Sequence, residues 1–333
     1  MKKKEQGLPL GKLPAPFLER LIKSLPQYGP EVIAGPGIGE DAAVVDFGGT
    51  RLIFKTDPIT FLSEDIFSYL ITVNSNDIAC MGGIPRYLLV TTLLPEGITE
   101  SEVEKLFEEL KTACKSSDII LLGGHTEITF GIKRPVAVGF MIGTLDGKPL
   151  SASRAKPGDA ILLSKAIPIE AVSIIARQMP EKLGLDEETL NRARNLIHDP
   201  GISILKEARI AANLGATALH DPTEGGLATG LMELALASGS GVEVDMNSIP
   251  VLDIARDMLE RLRIDPLGAI SSGSLLACCP AEKSQAILDA WHSEGIAGAV
   301  IGKMAVSGLT LIRNGRKETL PEFSRDELAR FLS

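Results

Sequence analysis

Asp41-Ala42-Ala43-Val44-Val45-Asp46-Phe47-Gly48-Gly49-Thr50-Arg51-Leu52-Ile53-Phe54-Lys55-Thr56-Asp57 carries the decision about the fold. Its β-rich runs, 41–46 and 51–56, flank Phe47-Gly48-Gly49-Thr50, which reads as a hairpin closed through a Gly-Gly turn. A hairpin is not the start of a βαβ unit. Downstream, Phe67, Leu70, Ile71, Ile78 and Met81 recur at helical steps over 64–81, and 87–94 reads as a strand. Thr99 and Glu102 make a capping box, behind which Val103, Leu106, Phe107, Leu110, Ala113 and Cys114 line one helix face. Strands at 118–122 and 135–142 complete a first unit that ends near Asp146-Gly147-Lys148-Pro149.

The turn cluster 154–159 opens a second series. It comprises strands at 160–164, 216–220, 273–279 and 297–301, and helices at 168–179, 187–196, 203–213, 223–237, 252–263 and 281–293. Asn314-Gly315 closes a last hairpin. The expectation is a mixed α/β chain of two domains, 1–150 and 151–333, with a cleft between them.

A length of 333 residues favours two cores, and 44% hydrophobic with 23% charged residues is ordinary for a globular protein. No apolar run approaches the roughly 18 residues of a membrane span, and the N-terminus lacks a secretory apolar stretch, so a cytoplasmic protein is expected. The net charge of −9 argues against a nucleic-acid surface. If phosphates are bound, a metal must mediate. Cys80, Cys114, Cys278 and Cys279 lack zinc-site spacing; Cys114, Cys278 and Cys279 read as core.

Gly7-Leu8-Pro9-Leu10-Gly11-Lys12-Leu13 imitates a P-loop but is one residue short and has Leu where the metal-binding hydroxyl belongs. Gly35-Pro36-Gly37-Ile38-Gly39 is no dinucleotide fingerprint either, and remains a glycine loop leading into Glu40-Asp41. Asp41, Asp57 and Asp77 come from separate elements, and three converging carboxylates are hard ligands suited to Mg²⁺; turn, capping or salt-bridge roles are the alternative. If they share metal, their mutual repulsion is relieved only when it binds.

Gly123-Gly124-His125-Thr126-Glu127 follows an apolar strand where the chain leaves the sheet. Its glycines either serve the turn or admit a phosphate to the backbone. His220-Asp221-Pro222-Thr223-Glu224-Gly225-Gly226 reads as a helix start with Asp221 as N-cap, and the glycine pair suggests close backbone or ligand approach.

Taken in order, GIGEDAAVVD, KTD, NDIACMGGIP, LLGGHTEI, KPGDAILLSKAI, DPTEGGL and IGKM resemble the motif series of the AIR-synthase-like ATPase superfamily, from about residue 35 to 304. The resemblance is nearest to its branch of HypE-like hydrogenase expression/formation proteins. It implies an N-terminal domain that binds ATP and Mg²⁺ and dimerises through its sheet, and a C-terminal domain closing the cleft. By motif, Asp41, Asp57 and Asp77 would hold Mg²⁺, Asn76 would support the phosphates, and Gly123, Gly124 and Thr126 would form a phosphate-facing turn. Gly37, Gly39, Lys55 and Thr56 would lie close by, with Asp221 opposite. Asp221 and His125 become candidate acid/base or orienting residues for a small-molecule substrate whose oxygen is phosphorylated or activated.

A small-molecule kinase of the thiamine-monophosphate kinase type is an alternative. A nucleotide-binding regulator or maturation partner with little turnover is another. Four departures bear on the substrate: His125 in place of an acidic residue, Glu224 in place of Arg, Lys165-Ala166-Ile167-Pro168-Ile169-Glu170 in place of a glycine- and histidine-containing run, and a terminal Ser333 in place of Cys. The last implies that HypE-type chemistry on the chain's own C-terminus is not expected.

Overall fold

Alternating apolar residues and Gly-Gly punctuation set the first sheet. The computed structural model describes Leu8 and residues 11–26, 28–60 and 65–331; most of the P-loop imitation and Ser333 lie outside these. After helix Ala15–Ile22 (α1) come strands Val32–Ala34 (β1), Ala43–Phe47 (β2) and Thr50–Ile59 (β3). Gly48 and Gly49 turn at φ 63° and 99°, and β2 and β3 pair antiparallel as the hairpin requires. Helix Ile66–Cys80 (α2), strand Ile84–Pro95 (β4), helix Glu100–Ser116 (α3) and strands Ile120–Thr129 (β5) and Val136–Leu145 (β6) follow. The sheet order is β1-β2-β3-β6-β4-β5.

The capping box forms as read: Thr99 accepts from the Glu102 amide, and Glu102 accepts from the Thr99 amide. Phe107, expected on the buried face of α3, is instead 48% exposed, beside the stripe of Leu106, Leu110, Ala113 and Cys114 that packs on the core.

The second half carries strand Ala160–Ser164 (β7), helices Ile169–Gln178 (α4), Pro180–Leu183 (α5), Glu187–Asn195 (α6) and Leu205–Leu214 (α7), and strand Ala218–His220 (β8). Helix Gly226–Ser238 (α8), strand Gly241–Asp245 (β9), helix Asp253–Leu262 (α9), strand Leu276–Cys279 (β10), helix Ser284–Ser293 (α10) and strands Gly298–Ala305 (β11), Leu309–Arg313 (β12) and Arg316–Thr319 (β13) complete it. Its sheet runs β13-β12-β9-β11-β7-β10-β8. Every residue of β7 is buried, as a central strand covered on both faces demands.

The two halves meet on α2. Ile66, Phe67, Leu70, Ile71 and Ile78 belong to a core with the first sheet, whereas Ala79 and Cys80 pack with Leu162, Ile204 and Leu219 of the second half. A helix buried on nearly every side must satisfy its polar residues internally. Asn74 does so by donating to the Leu70 carbonyl and accepting from the Asp57 amide; Asn76 donates to the Ile202 carbonyl and accepts from the Ile204 amide.

The expected start of α8 at Asp221 is corrected. The helix begins at Gly226, capped by Gly225, because both glycines take left-handed φ, 81° and 65°, which a right-handed helix begun at Pro222 cannot contain. Close backbone approach explains Gly226: a Cβ there would lie 2.6 Å from the carbonyl oxygens of Leu267 and Ala269.

Candidate active site

Strand alternation puts Lys55 and Asp57 of β3 on the face that α2 covers, and Asp77 comes up from α2 to meet them. The Lys55 ammonium lies 3.3 Å from a carboxylate oxygen of each. Burial opposes its charge, yet Asp77 and Asp57, with Asp41 and Asp221 behind them, hold its pKa well above the ordinary lysine value. Asp77 is pushed up by burial, an effect Lys55 counters and the other carboxylates reinforce. The expectation that only a metal relieves the repulsion is therefore corrected: a lysine ammonium already does so in the protein alone.

Asp41, carried by the glycine loop, and Asp221, at the end of β8, close the second side of the cluster. Asp41 is 8% exposed, and its Oδ2 is buried without a protein partner. Its Oδ1 is 2.7 Å from His220 Nδ1, and His220 Nε2 is 3.0 Å from Glu233 Oε2 of α8. Burial disfavours the imidazolium, but these two carboxylates raise its pKa well above the usual value. Glu233 is pushed up by burial and held down to about 2 by the hydrogen bond from His220 and the charge of Lys12. Burial, then Asp41, raises the pKa of Asp221 above the ordinary carboxylate range. The Cys80 thiol donates to Asp221 Oδ1 at 3.6 Å.

The glycine loop reaches this cluster by tight packing on α8: a Cβ at Gly39 would stand 2.7 Å from the Glu233 carbonyl oxygen. Gly37, Glu40, Lys12, Glu224 and Glu233 line a cavity of about 700 Å³ beside it, with Leu13, Ile22, Met232 and Phe323 among its apolar walls. Sequence reasoning gave no role to Lys12, Glu233 or His220. Lys12 reaches Glu233 and Thr223, and its amide donates to Glu224; the only available signal was that His220 precedes Asp221.

Several expected residues stand elsewhere. Thr56 is exposed on the face of β3 opposite Lys55. Both polar atoms of the Asn76 amide are occupied by Ile202 and Ile204, so Asn76 joins the two halves instead of facing phosphates. Gly123, Gly124, His125 and Thr126 form no turn; they continue β5, the exposed edge strand. Gly124 is needed there because a Cβ would meet the Val90 carbonyl of β4. His125 pairs across β4 and β6 with Pro58, three strand spacings or roughly 14 Å from β3. Its Nε2 lies 3.1 Å from Glu127, so within one chain it does not join Asp221. The variant segment 165–170 is buried structure: Lys165 pairs with Glu207 at 2.6 Å, and Glu170 accepts from the Ser272 amide and bonds the Tyr69 hydroxyl.

Two mixed sheets joined through a buried helix, with hard oxygen donors at the junction, define a two-domain α/β protein. The chain belongs to the AIR synthase related family: it matches the N-terminal domain over residues 39–145 and the C-terminal domain over 156–312. It is similar to the carbamoyl dehydratase HypE of Azotobacter vinelandii, 31% identical over 275 residues, which span 79% of this chain and 77% of the relative. The crystal structure of hydrogenase maturation protein HypE in complex with ATP superposes with a TM-score of 0.72 at 23% identity, covering 89% of this chain and 92% of that one. HypE in the crystal structure of the HypE–HypF complex gives 0.72 at 22% identity, with 86% and 94% covered.

Proposed function

We propose that the chain is an enzyme that uses Mg²⁺-bound ATP to phosphorylate or activate an oxygen of a small amide, carbamoyl or carboxylate substrate. The observation that carries this is the convergence of Asp41, Asp57, Asp77 and Asp221 around Lys55 at the junction of the two halves. Similarity to a carbamoyl dehydratase and to a HypE bound to ATP supports the same reading. The donors fit the ion: all are hard oxygens, and Asp41 Oδ2 is buried and orphaned. Asp41, Asp57 and Asp77 would hold Mg²⁺, which when bound neutralises triphosphate charge.

The remaining work falls to side chains. Lys55 is held cationic by its neighbours and attracts phosphate oxygens once the carboxylates are engaged elsewhere. Asp221, its pKa raised by burial and by Asp41, takes or orients a proton of the attacking group. The substrate oxygen forms its bond to the γ-phosphorus as the bond to ADP breaks, and positioning by the cavity of about 700 Å³ lowers the barrier. We place the domain boundary at 150/151 and assign the enzyme to the cytoplasm.

A homodimer through the N-terminal sheet belongs to the same proposal. Support comes from β5, an edge strand of that sheet beside β4, with Ile120 57%, Leu122 54% and Ile128 61% exposed. A second copy there would pair with the side of β5 that β4 does not occupy. A further maturation protein is a candidate partner, by similarity to HypE in its complex with HypF. The test is an ATPase screen with amide, carbamoyl and carboxylate metabolites, followed by phosphorus NMR of the product. Stimulated ADP release is expected; phosphate retained on the product would make it a kinase, and no stimulation with tight ATP binding would make it a regulator.

A further inference from the structure

We propose that a second cavity, between the glycine loop and the linker that joins the two halves, binds a small organic oxyanion with a flat apolar body, an aryl phosphate or an aromatic carboxylate. It measures about 610 Å³, within the range of small-molecule sites. Its walls come from separate stretches of chain: Tyr28 with Ile33 of β1, the glycine loop, Arg51 at the start of β3, and linker residues 148–154. Lys55, Asp57, Asp77 and Asp221 do not line it, so it shares only the glycine loop with the carboxylate cluster.

Charge names one end of the ligand. The chain carries a net charge of −9, yet this cavity sets Arg51, Lys148 and Arg154 against a single acid, Glu40. Glu40 is turned away from them: its Oε1 accepts from the Ser151 hydroxyl at 2.7 Å, and its Oε2 is buried. Arg51 donates to the Gly147 carbonyl and faces Asp46 at 3.9 Å, and Arg154 donates to the Pro149 carbonyl at 2.6 Å. A guanidinium has five N–H donors, so each is anchored through one and keeps others for an oxyanion. Lys148 has no hydrogen-bond or ion-pair partner among the described residues. The linker carrying two of these cations is itself held, since the Leu150 amide donates to the Met81 carbonyl after α2 and the Leu150 carbonyl accepts from the Leu219 amide of β8. The cations are therefore placed before any ligand arrives.

Tyr28 names the other end. A Cβ at Gly35 would stand 2.7 Å from the Tyr28 ring, so the ring lies against bare backbone, and it is still 58% exposed. Ile33 adds an exposed apolar side chain to the same wall. A solvent-facing ring in one cavity with two guanidinium groups and an ammonium suits a ligand with a ring at one end and an oxyanion at the other.

Calorimetric titration of the full-length protein with phenyl phosphate and with benzoate, at fixed ionic strength and without Mg²⁺ or nucleotide, tests the site. Phenyl phosphate represents the phosphate head and benzoate the carboxylate head. Saturable binding of at least one, one molecule per chain at submillimolar concentration, is expected, and it should be tighter than that of inorganic phosphate or acetate. Lys148→Gln should weaken it about 10-fold. Tyr28→Ala should erase the advantage of the ring-bearing ligand over the bare anion, and Asp57→Asn should leave binding as it is. The proposal is overturned if neither ligand binds saturably, if Asp57→Asn abolishes the binding seen, or if either Lys148→Gln or Tyr28→Ala leaves it unchanged. Should circular dichroism show Tyr28→Ala unfolded, Lys148→Gln decides alone, because that side chain has no partner to lose. With no nucleotide present, failure here leaves the proposed activity untouched.

Discussion

Asp57→Asn keeps the shape of the side chain and takes one negative charge from the cluster. In the protein alone Asp57 pairs with Lys55 at 3.3 Å, and its side chain is 38% exposed. A pair so open to solvent is worth about 0.2–1 kcal/mol. Against that loss stands relief of repulsion with Asp77, whose carboxyl Asp57 helps to raise. The two effects oppose each other, so stability without ligand should change by less than about 1 kcal/mol in either direction. Loss of a metal ligand is a different matter. Even groups behind the ligands of metal sites cost roughly 10–100-fold in affinity or activity, so Mg·ATP should bind at least that much more weakly, about 1.4 kcal/mol for each factor of ten. Calorimetric titration with Mg·ATP, beside urea unfolding of both ligand-free proteins, reads the two quantities separately. A variant destabilised by 2 kcal/mol or more that still binds Mg·ATP normally would refute the reasoning, because Asp57 would then be scaffold.

Glu170→Gln tests a buried acid: burial lifts Glu170 to about 8 from an ordinary 4.5, so between those values the folded chain keeps a proton that the unfolded chain loses. Stability contributed by this group should accordingly fall as pH rises, by up to about 1.4 kcal/mol per unit, and urea midpoints at pH 5 and pH 8 should show the variant with the flatter slope; equal slopes would dismiss it. Gly226→Ala should cost more than Gly239→Ala, since both glycines have φ near 65° but only Gly226 faces carbonyl oxygens at 2.6 Å; about 1–3 kcal/mol is expected from the backbone alone, and equal losses in chemical denaturation would deny the clash. Ile128→Lys should convert a dimer to a monomer in light scattering, and a parent already monomeric at micromolar concentration ends the dimer reading.

The hairpin, the capping box and the run of α2 were legible because each is written in local chemistry: Gly48-Gly49, Thr99 with Glu102, and apolar residues three and four apart. Gly123-Gly124 misled for an equally physical reason. Glycines after an apolar strand signal a turn, but here Gly124 exists so that β5 can lie against the Val90 carbonyl, a non-local cause with no local signature. Gly225-Gly226 was read correctly as close approach and incorrectly as helix interior, since sequence does not reveal the sign of φ. Asp41 and Asp77 could be found by type, whereas Glu233 and Lys12 could not, because only folding brings α8 and the segment before α1 to His220 and Thr223.

Asn76 and Asp77 are neighbours on one helix, and the first is tied to the second half of the chain while the second is tied to the lysine of the first sheet. Pulling the halves apart along α2 would therefore strip two buried hydrogen bonds one residue away from the carboxylate that must stay in place. The molecule is hinged shut on that side. Traffic to the reacting groups is left to the other rim, where Lys12 and Leu13 before α1 and Phe323–Asp326 near the chain's end form the cavity wall. Both segments are tied to the start of α8, Asp326 accepting from the Gly225 amide and Glu224 from the Lys12 amide.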